Sequence, residues 1–389
     1  MLHTYPKQIA LTALISLLAF TAPNAYAAPV AGTGFSLGSE GFIAIKNTEA
    51  LDIKLVYENI SSAAPSVVDL TAIDEAIDGQ TLREKIDSCR LPAGDLYSRG
   101  KTITAEQRQA LLDNRNLAPI GKTEPTGYGI AVRRANVRAL PAGSGLFASA
   151  DDMERDLLQV GALDPCEPVR LLHISQDRRY YYVQSATMSG WVYIADIAAC
   201  KQSEWQRYSD PTSFLVVTSR GQRIKQAAET VYAQMGTRIP LIDQNDKKYT
   251  VLMPIRRGDG RLVEAETFID KKEAFHVGYL DCTAQTVTKL AESYLGAPYG
   301  YRGLKNSEDS IGIITDIYRT LGITLPRKAD ELIAASRHLP PCGDIAIISG
   351  ADGECHLVLA KTDAGLTVVG QTDSKQIGTY TIPNGGSAK

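Results

Sequence analysis

Groups able to attack a carbonyl carbon concentrate in the last hundred residues of the chain. Ser310 heads the run "SIGIITDIYRTLG", Cys342 precedes Gly343 and Asp344, and Cys355 and His356 are adjacent in "CHLVLAK". A hydroxyl or thiol becomes a nucleophile when an imidazole takes its proton, or when a helix N-terminus and a nearby cation favour its anion. The two routes separate serine from cysteine. A thiolate is populated near neutral pH in such a field, whereas a serine hydroxyl is far too weak an acid and must give its proton to the imidazole during attack. Cys355 adjoins His356 on one strand and so points to the opposite face. Cys342 lies ahead of a Gly-Asp turn, without a helix dipole to lower its pKa, so both read as structural thiols or halves of a staple. Asp309, one residue before the helical run, is an N-cap by type.

Two helices and a small sheet must hold these groups. Val287, Leu290, Ala291, Tyr294 and Leu295 follow an i, i+3, i+4, i+7, i+8 spacing from Thr283, and Gly296 with Pro298 ends that helix. The second helix starts near Ser310, carries Ile311, Ile314, Ile317, Tyr318 and Leu321 on one side, and stops at Gly322. Three strands follow in "DIAIIS", "CHLVLAK" and "LTVVGQT". Helices followed by an antiparallel sheet predict an α+β domain over 281–389.

Upstream the period changes to 2. "GIAVRRANVRAL", "EPVRLLHIS", "RYYYVQS" and "GWVYIADI" are short strands between Pro, Gly, Ser and Asp turns, which predicts a small β-barrel over 126–202. A second barrel is expected over 203–280, from "SFLVVTS", "IPLIDQ", "KYTVLMPI" and "RLVEAETFI". Residues 28–125 read as a helical N-terminal domain, with "TAEQRQALLDNRNL" as its clearest helix.

The first residues carry Lys7, an apolar run from Ile9 to Ala22 and the small-residue triplet Ala25, Tyr26, Ala27. Together they predict a secretory signal over 1–27, cleaved after Ala27, and a periplasmic or secreted product. A run of about 14 residues falls short of the roughly 20 that a membrane span needs, so no span is expected after cleavage. A net charge of -3 gives no reason to expect nucleic-acid binding. The six cysteines lack any CxxC spacing that suggests zinc, and no cofactor or metal is expected. Cys166 and Cys200 bracket one β-rich segment and are expected to pair, while Cys89, Cys282, Cys342 and Cys355 cannot be paired from sequence.

The motifs "PYGYRG", "DSIG", "LPR", "GD" and "CHLVL" between 298 and 359 resemble, in order and spacing, those of the NlpC/P60-type papain-like cell-wall peptidases. Upstream, "YGIAVRRANVRALP", "EPVRLLHIS" and "GWVYIADIA" look like the bacterial SH3 domain of one branch of that family. In that branch a helical N-terminal domain and two SH3-like barrels precede the peptidase. The resemblance thus covers nearly all of the chain beyond the signal. It implies a peptidoglycan stem peptide as ligand, the family commonly cutting γ-D-glutamyl-diamino acid bonds.

It also implies roles for single residues. Ser310 stands at the nucleophile position, where the family has cysteine. His356 matches the general base, against the plainer reading of a structural histidine with one satisfied hydrogen bond. Gly370 falls where the family keeps a polar residue that orients the base; Gln371 beside it faces the other way unless a one-residue bulge turns it inward. Without an orienter a Ser/His pair lacks what holds the imidazole in its working tautomer. Tyr299, Tyr301, Asp309 and Arg327 are carried over as substrate-cleft positions, although Asp309 is also explained as a cap and Arg327 as an ion-pair partner. Arg302 places a bulky cation where the family has glycine, and Ile311 and Ala329 replace hydroxyl residues.

Three functions fit these changes. The first is an exported, peptidase-derived protein that has lost the thiol mechanism and binds stem peptides. The second is an active hydrolase using Ser310, His356 and Gln371. The third is an envelope scaffold whose barrels bind other envelope proteins; SH3-like barrels by themselves imply only binding.

Overall fold

The computed structural model describes residues 52–88, 90–226, 229–350 and 354–383. The expected signal segment and Cys89 lie outside the described residues.

Helix α1 (Ile53–Ala63) starts at Asp52, whose side chain accepts from the Leu55 N–H at 3.1 Å. Ile53, Val56, Tyr57 and Ile60 recur at helical spacing. This stripe is covered not by its own neighbours in sequence but by the C-terminal helices: Ile60, Ala64 and Val67 share one core with Val287, Ile313 and Leu332. The chain then forms the short strand β1 (Ala76–Asp78) and helix α2 (Gly79–Asp87), followed by β2 (Tyr97–Ser98), β3 (Lys101–Thr102) and helix α3 (Ala105–Asp113). The last is the helix expected from "TAEQRQALLDNRNL", and it opens on a capping box between Thr104 and Gln107. Strand β4 (Thr123–Pro125) returns antiparallel to β1.

Seven strands come next: β5 (Gly127–Ala131), β6 (Ala135–Arg138), β7 (Gln159–Leu163), β8 (Pro168–Ile174), β9 (Tyr180–Gln184), β10 (Ser189–Tyr193) and β11 (Ile197–Cys200). They form one sheet in the order β11-β5-β8-β9-β10-β6-β7. Alternate residues Val137, Leu163, Val169, Val183, Val192 and Ile197 fill its interior. Helix α4 (Gln202–Ser209) leads out of the sheet. Its Trp205 and Tyr208 pack together with Ile130 and Ala198 of the first sheet and Leu215, Ile239 and Met253 beyond, so both β-rich segments share that core.

The second segment contains β12 (Phe214–Val217), the hairpin β13 (Gln222–Gln226) and β14 (Glu229–Ala233), then β15 (Arg238–Gln244), β16 (Lys248–Arg256), β17 (Leu262–Asp270) and β18 (Phe275–Val277). Five of these form a sheet ordered β17-β16-β15-β12-β18.

The expected Cys166–Cys200 disulfide is absent; both thiols are free. The N–H of Cys166 bonds the Ala131 carbonyl at one end of β5, and Cys200 pairs with Tyr128 near the other end. Three residues of strand separate them by about 10 Å, beyond the reach of a disulfide. The Cys166 thiol instead points at Met253 Sδ, 3.9 Å away in the shared core. The thiols that meet are those of Cys282 and Cys342, whose hydrogen bond lowers the pKa of the first and raises that of the second.

The C-terminal part has helices α5 (Ala284–Glu292), α6 (Ser310–Thr320) and α7 (Ala329–Ser336) and a sheet of β19 (Ala346–Ser349), β20 (Cys355–Thr362), β21 (Gly365–Gln371) and β22 (Ile377–Pro383), ordered β19-β20-β21-β22. Helix α5 ends one turn earlier than the periodicity suggests, which leaves Leu295 outside the apolar stripe and exposed. Helix α6 is buried on more than one side. Ile313, Ile314 and Ile317 face the helical core, and Arg319 pairs with Asp316 of its own helix and with Asp164 of the loop after β7.

Candidate functional site

Ser310 is the first residue of α6 and is 3% exposed. The turn ahead of it is held by Asp309. One carboxylate oxygen accepts the Gly312 N–H at 2.7 Å and the other the Arg302 N–H at 3.1 Å, so one side chain caps α6 and fixes the preceding loop. Arg327 completes the arrangement with an ion pair to Asp309 at 3.3 Å and another to Glu308 at 3.7 Å. Asp309 and Arg327, two of the four residues expected at the substrate cleft, are thus engaged with each other, and Asp309 with α6.

The loop over 301–306 turns toward the seven-stranded sheet. Arg302 takes a left-handed backbone conformation (φ 48°), donates through its guanidinium to the Gln159 carbonyl at 2.9 Å, and accepts from the Gln159 amide at 3.2 Å. Its guanidinium also lies 5.1 Å from the centre of the Tyr301 ring. Gly303 has φ +82°, and a Cβ there would stand 3.1 Å from the Ala162 methyl, so this close approach of loop to strand requires glycine.

Behind the loop runs a buried chain of charges that the sequence did not announce. Arg134, on the turn between β5 and β6, pairs with Asp164 at 2.6 Å and with Glu308. Asp164 also binds Arg319 at 2.9 Å, and Tyr294 donates its hydroxyl to Asp316 at 2.8 Å. Burial opposes the Asp164 carboxylate, but Arg134 and Arg319 outweigh it and hold its pKa below the ordinary value. Burial, and next the charge of Glu308, push the Asp316 pKa well above the ordinary value.

His356 lies second in β20, paired with Ile348, and is 6% exposed. Its Nδ1 is 3.0 Å from the hydroxyl of Tyr380 on β22, with the two rings edge to face. Gly370 lies beside this pair: a Cβ built on it would be 3.1 Å from the Tyr380 hydroxyl and 3.4 Å from His356 Nδ1. Gly370, the residue that the resemblance sets at the orienter position, thus lies beside His356 and Tyr380. The expectation that the imidazole has lost its partner is corrected, because Tyr380 reaches the same nitrogen from the neighbouring strand. Gln371 is exposed and pairs in unbroken register with Ile377, and the β20/β21 irregularity falls between Val358 and Ala360 instead. It belongs to the opposite face and has no place in the site.

Tyr380 lies on β22, one strand beyond the motifs legible in the sequence. The signal was present: Gly378 pairs with Gly370, and Tyr380, two residues on, shares its face.

Tyr299 links the head of α6 to the start of β20. Its backbone bridges to Glu308 and its hydroxyl reaches Glu354 at 3.5 Å; Ser310 and His356 each follow two residues after those partners. Burial first, and then Asp309 and Glu354, raise the Tyr299 pKa, so the phenol stays protonated and able to donate. Cys355 faces away from this site, its thiol 3.8 Å from the Ala329 carbonyl, and is fully buried. A hydroxyl thus stands at the head of α6 and an imidazole with a phenol against it on β20, and Tyr299 bridges the segments just ahead of the two.

Residues 145–193 match the family model described as SH3 domain (SH3b1 type). No curated protein matches the chain. Among solved structures, the chain is similar to a novel NlpC/P60 endopeptidase from Photobacterium damselae subsp. piscicida, at 18% identity and a TM-score of 0.61, over 85% of this chain and 84% of that one. A NlpC/P60 family protein from Bacillus cereus ATCC 10987 is similar at 15% identity and a TM-score of 0.47, over 66% of this chain and 94% of that one. At its identity the first likeness is one of fold: an α+β chain with the architecture of that endopeptidase, including an SH3-type segment.

Proposed function

We infer that this protein is an exported cell-wall component that binds peptidoglycan stem peptides on a peptidase scaffold impaired in hydrolysis. The observation that carries the reading is the identity of the residue at the head of α6. A hydroxyl gains little from a helix N-terminus that would hold a thiol ionised, and the neighbouring thiol of Cys355 faces the core. The apolar run ahead of Ala28 supports export. Arg302, turned to the β7 strand, supports a cleft whose entrance is shaped by the first β-rich segment.

Hydrolysis by Ser310 is the second reading, and the partner found for His356 favours it: a serine attack needs an oriented imidazole, and Tyr380 supplies one contact. One experiment separates the two. The mature protein is incubated with purified peptidoglycan, and soluble peptide release and sedimentation with the wall are measured together. Sedimentation without release supports the binder. Release that disappears in Ser310→Ala establishes the hydrolase and removes the first reading.

A further inference from the structure

Cys282 lies in the link from β18 to α5, and Cys342 in the link from α7 to β19. Each segment is fixed by contacts of its own. The Leu280 N–H bonds the Thr320 carbonyl at 2.9 Å, the Thr283 hydroxyl caps α5 by accepting the Thr286 N–H at 3.1 Å, and the Ile345 N–H bonds the Cys342 carbonyl at 3.2 Å. The two segments also meet. Gly343 turns at φ +63°, and a Cβ built on it would stand 3.2 Å from the Ala284 Cβ. With two carbon–carbon bonds of about 1.5 Å, the Cα atoms of these residues lie no more than about 6 Å apart, within the span of roughly 4.4–6.8 Å that a disulfide bridges. One residue before Gly343 and two before Ala284, the thiols of Cys342 and Cys282 are in hydrogen-bonding reach of each other, and both belong to the helical core.

The geometry points to Cys282 and Cys342 as a thiol pair that closes into a disulfide, pinning the outer strand β19 to the head of α5. The strand matters to the site, because β19 pairs with β20 and places Ile348 opposite His356. The two thiols have unequal parts in the reaction. Cys282 is half-buried and its pKa is lowered by the hydrogen bond from Cys342, whereas Cys342 is 5% exposed. The oxidant is itself a disulfide. The Cys282 thiolate attacks one of its sulfurs, forming a mixed disulfide and releasing the other sulfur as a thiolate. Cys342 then gives its proton to solvent, attacks the Cys282 Sγ and expels the second thiolate. Two cysteine sulfurs are oxidised, and the two sulfurs of the reagent are reduced to thiols.

That the pair is closed in the cell rests on the export reading above, since exported spaces are oxidising. That it can close does not, and it is measured on purified protein. The mature protein is reduced, freed of reductant, treated with oxidised glutathione, alkylated under denaturing conditions and mapped by mass without reduction. The expected result is one peptide pair joining Cys282 to Cys342. Before oxidation, an alkylating reagent should reach Cys282 about tenfold faster than Cys342 in the native protein. The bridge closes a loop of about 60 residues, so oxidation should raise the thermal midpoint by about 5–10 °C. Cys282→Ser, a change at a half-buried position that the fold should accept, should lose that rise. Two alkylated thiols after oxidation, a lasting glutathione adduct on Cys282, or a bridge from Cys89 to either residue overturns the pairing. A bridge that forms without any rise in midpoint overturns its pinning role. Acid trapping of thiols in whole cells forms a separate arm. A bridge found there supports both readings; a reduced pair in cells, with the bridge forming in purified protein, defeats export and leaves the pairing in place.

Discussion

Ser310 and Gly370, which the proposed reading sets at a nucleophile and an orienter position, should respond differently to substitution. Ser310→Cys is a change of one atom at a buried helix N-terminus where Asp309 already caps the helix. The helix dipole should lower the new thiol's pKa at least a unit below the usual value of about 8.5. Thiolate absorbance followed against pH, as a difference from the wild-type protein, measures it; a midpoint at or above the usual value would show that the field at this position is weak. Gly370→His is not a mirror image of that change. The Tyr380 hydroxyl stands where the new side chain must begin, so the substitution should displace Tyr380 and cost about 1–3 kcal/mol through overpacking. A lowered thermal midpoint, with no gain in peptide cleavage even beside Ser310→Cys, is the expected outcome; an unchanged midpoint would mean that Tyr380 is free to leave.

At the scale of elements, α6 shows what local pattern reveals and what it conceals. Its extent, its start at Ser310 and its apolar residues were legible, because helical periodicity and an Asp N-cap are properties of neighbouring residues. The role of its polar flank was not, because Asp164 and Arg134 come from more than a hundred residues upstream and no spacing rule connects them to Asp316 and Arg319. For the same reason α1 could be read as a helix-forming stretch of the N-terminal part but not as a cover for α7. The cysteine pairing failed on a related point, since bracketing a β-rich segment says nothing about which ends of β5 the two residues meet. The polar flank leads to a pH prediction. Asp316 has its folded pKa raised well above the ordinary value, so the unfolded chain ionises it first as pH rises, and folding at neutral pH must bring a proton back or bury a charge. Its unfavourable contribution is absent below about pH 4 and grows as pH rises above that. Asp316→Asn removes this contribution while keeping an acceptor for the Tyr294 hydroxyl. Urea unfolding should find the variant more stable than wild type at pH 7 by about 1 kcal/mol and indistinguishable from it at pH 3.5. A variant less stable at pH 7 would mean that Asp316 works there as the anion paired to Arg319.

For the whole molecule, the question is what couples the β-rich half to the half that holds Ser310 and His356. Arg134 is one of the residues that join them, beside Arg302 and Arg319. It leaves the turn between β5 and β6 and bonds Asp164 at 2.6 Å, Glu308 two residues ahead of Ser310, and the Gly303 carbonyl at 3.3 Å. Burial works against its charge, yet Glu308 and Asp164 outweigh that and raise its pKa, so it is a cation under all ordinary conditions. Removing one member of such a buried set costs about 3–5 kcal/mol, since the remaining charges stay buried without their partner. Arg134→Met keeps much of the volume and removes the charge, leaving Asp164 to Arg319 and Glu308 to Arg327. Against a total stability of about 5–15 kcal/mol this loss is large, and it falls on the junction between the halves. The two signals weight the halves differently, because both tryptophans, Trp191 and Trp205, lie in the β-rich half, while α1, α5, α6 and α7, the larger share of the described helix, pack in the other core. In wild-type protein, urea curves from tryptophan fluorescence and from helical ellipticity should coincide. In Arg134→Met the ellipticity should fall at lower urea than the fluorescence, and Glu308→Met added to it should recover part of the loss, since the two changes remove one interaction. Coincident curves at an unchanged midpoint would show that the other contacts between the halves suffice, with Arg134 a passenger in the interface.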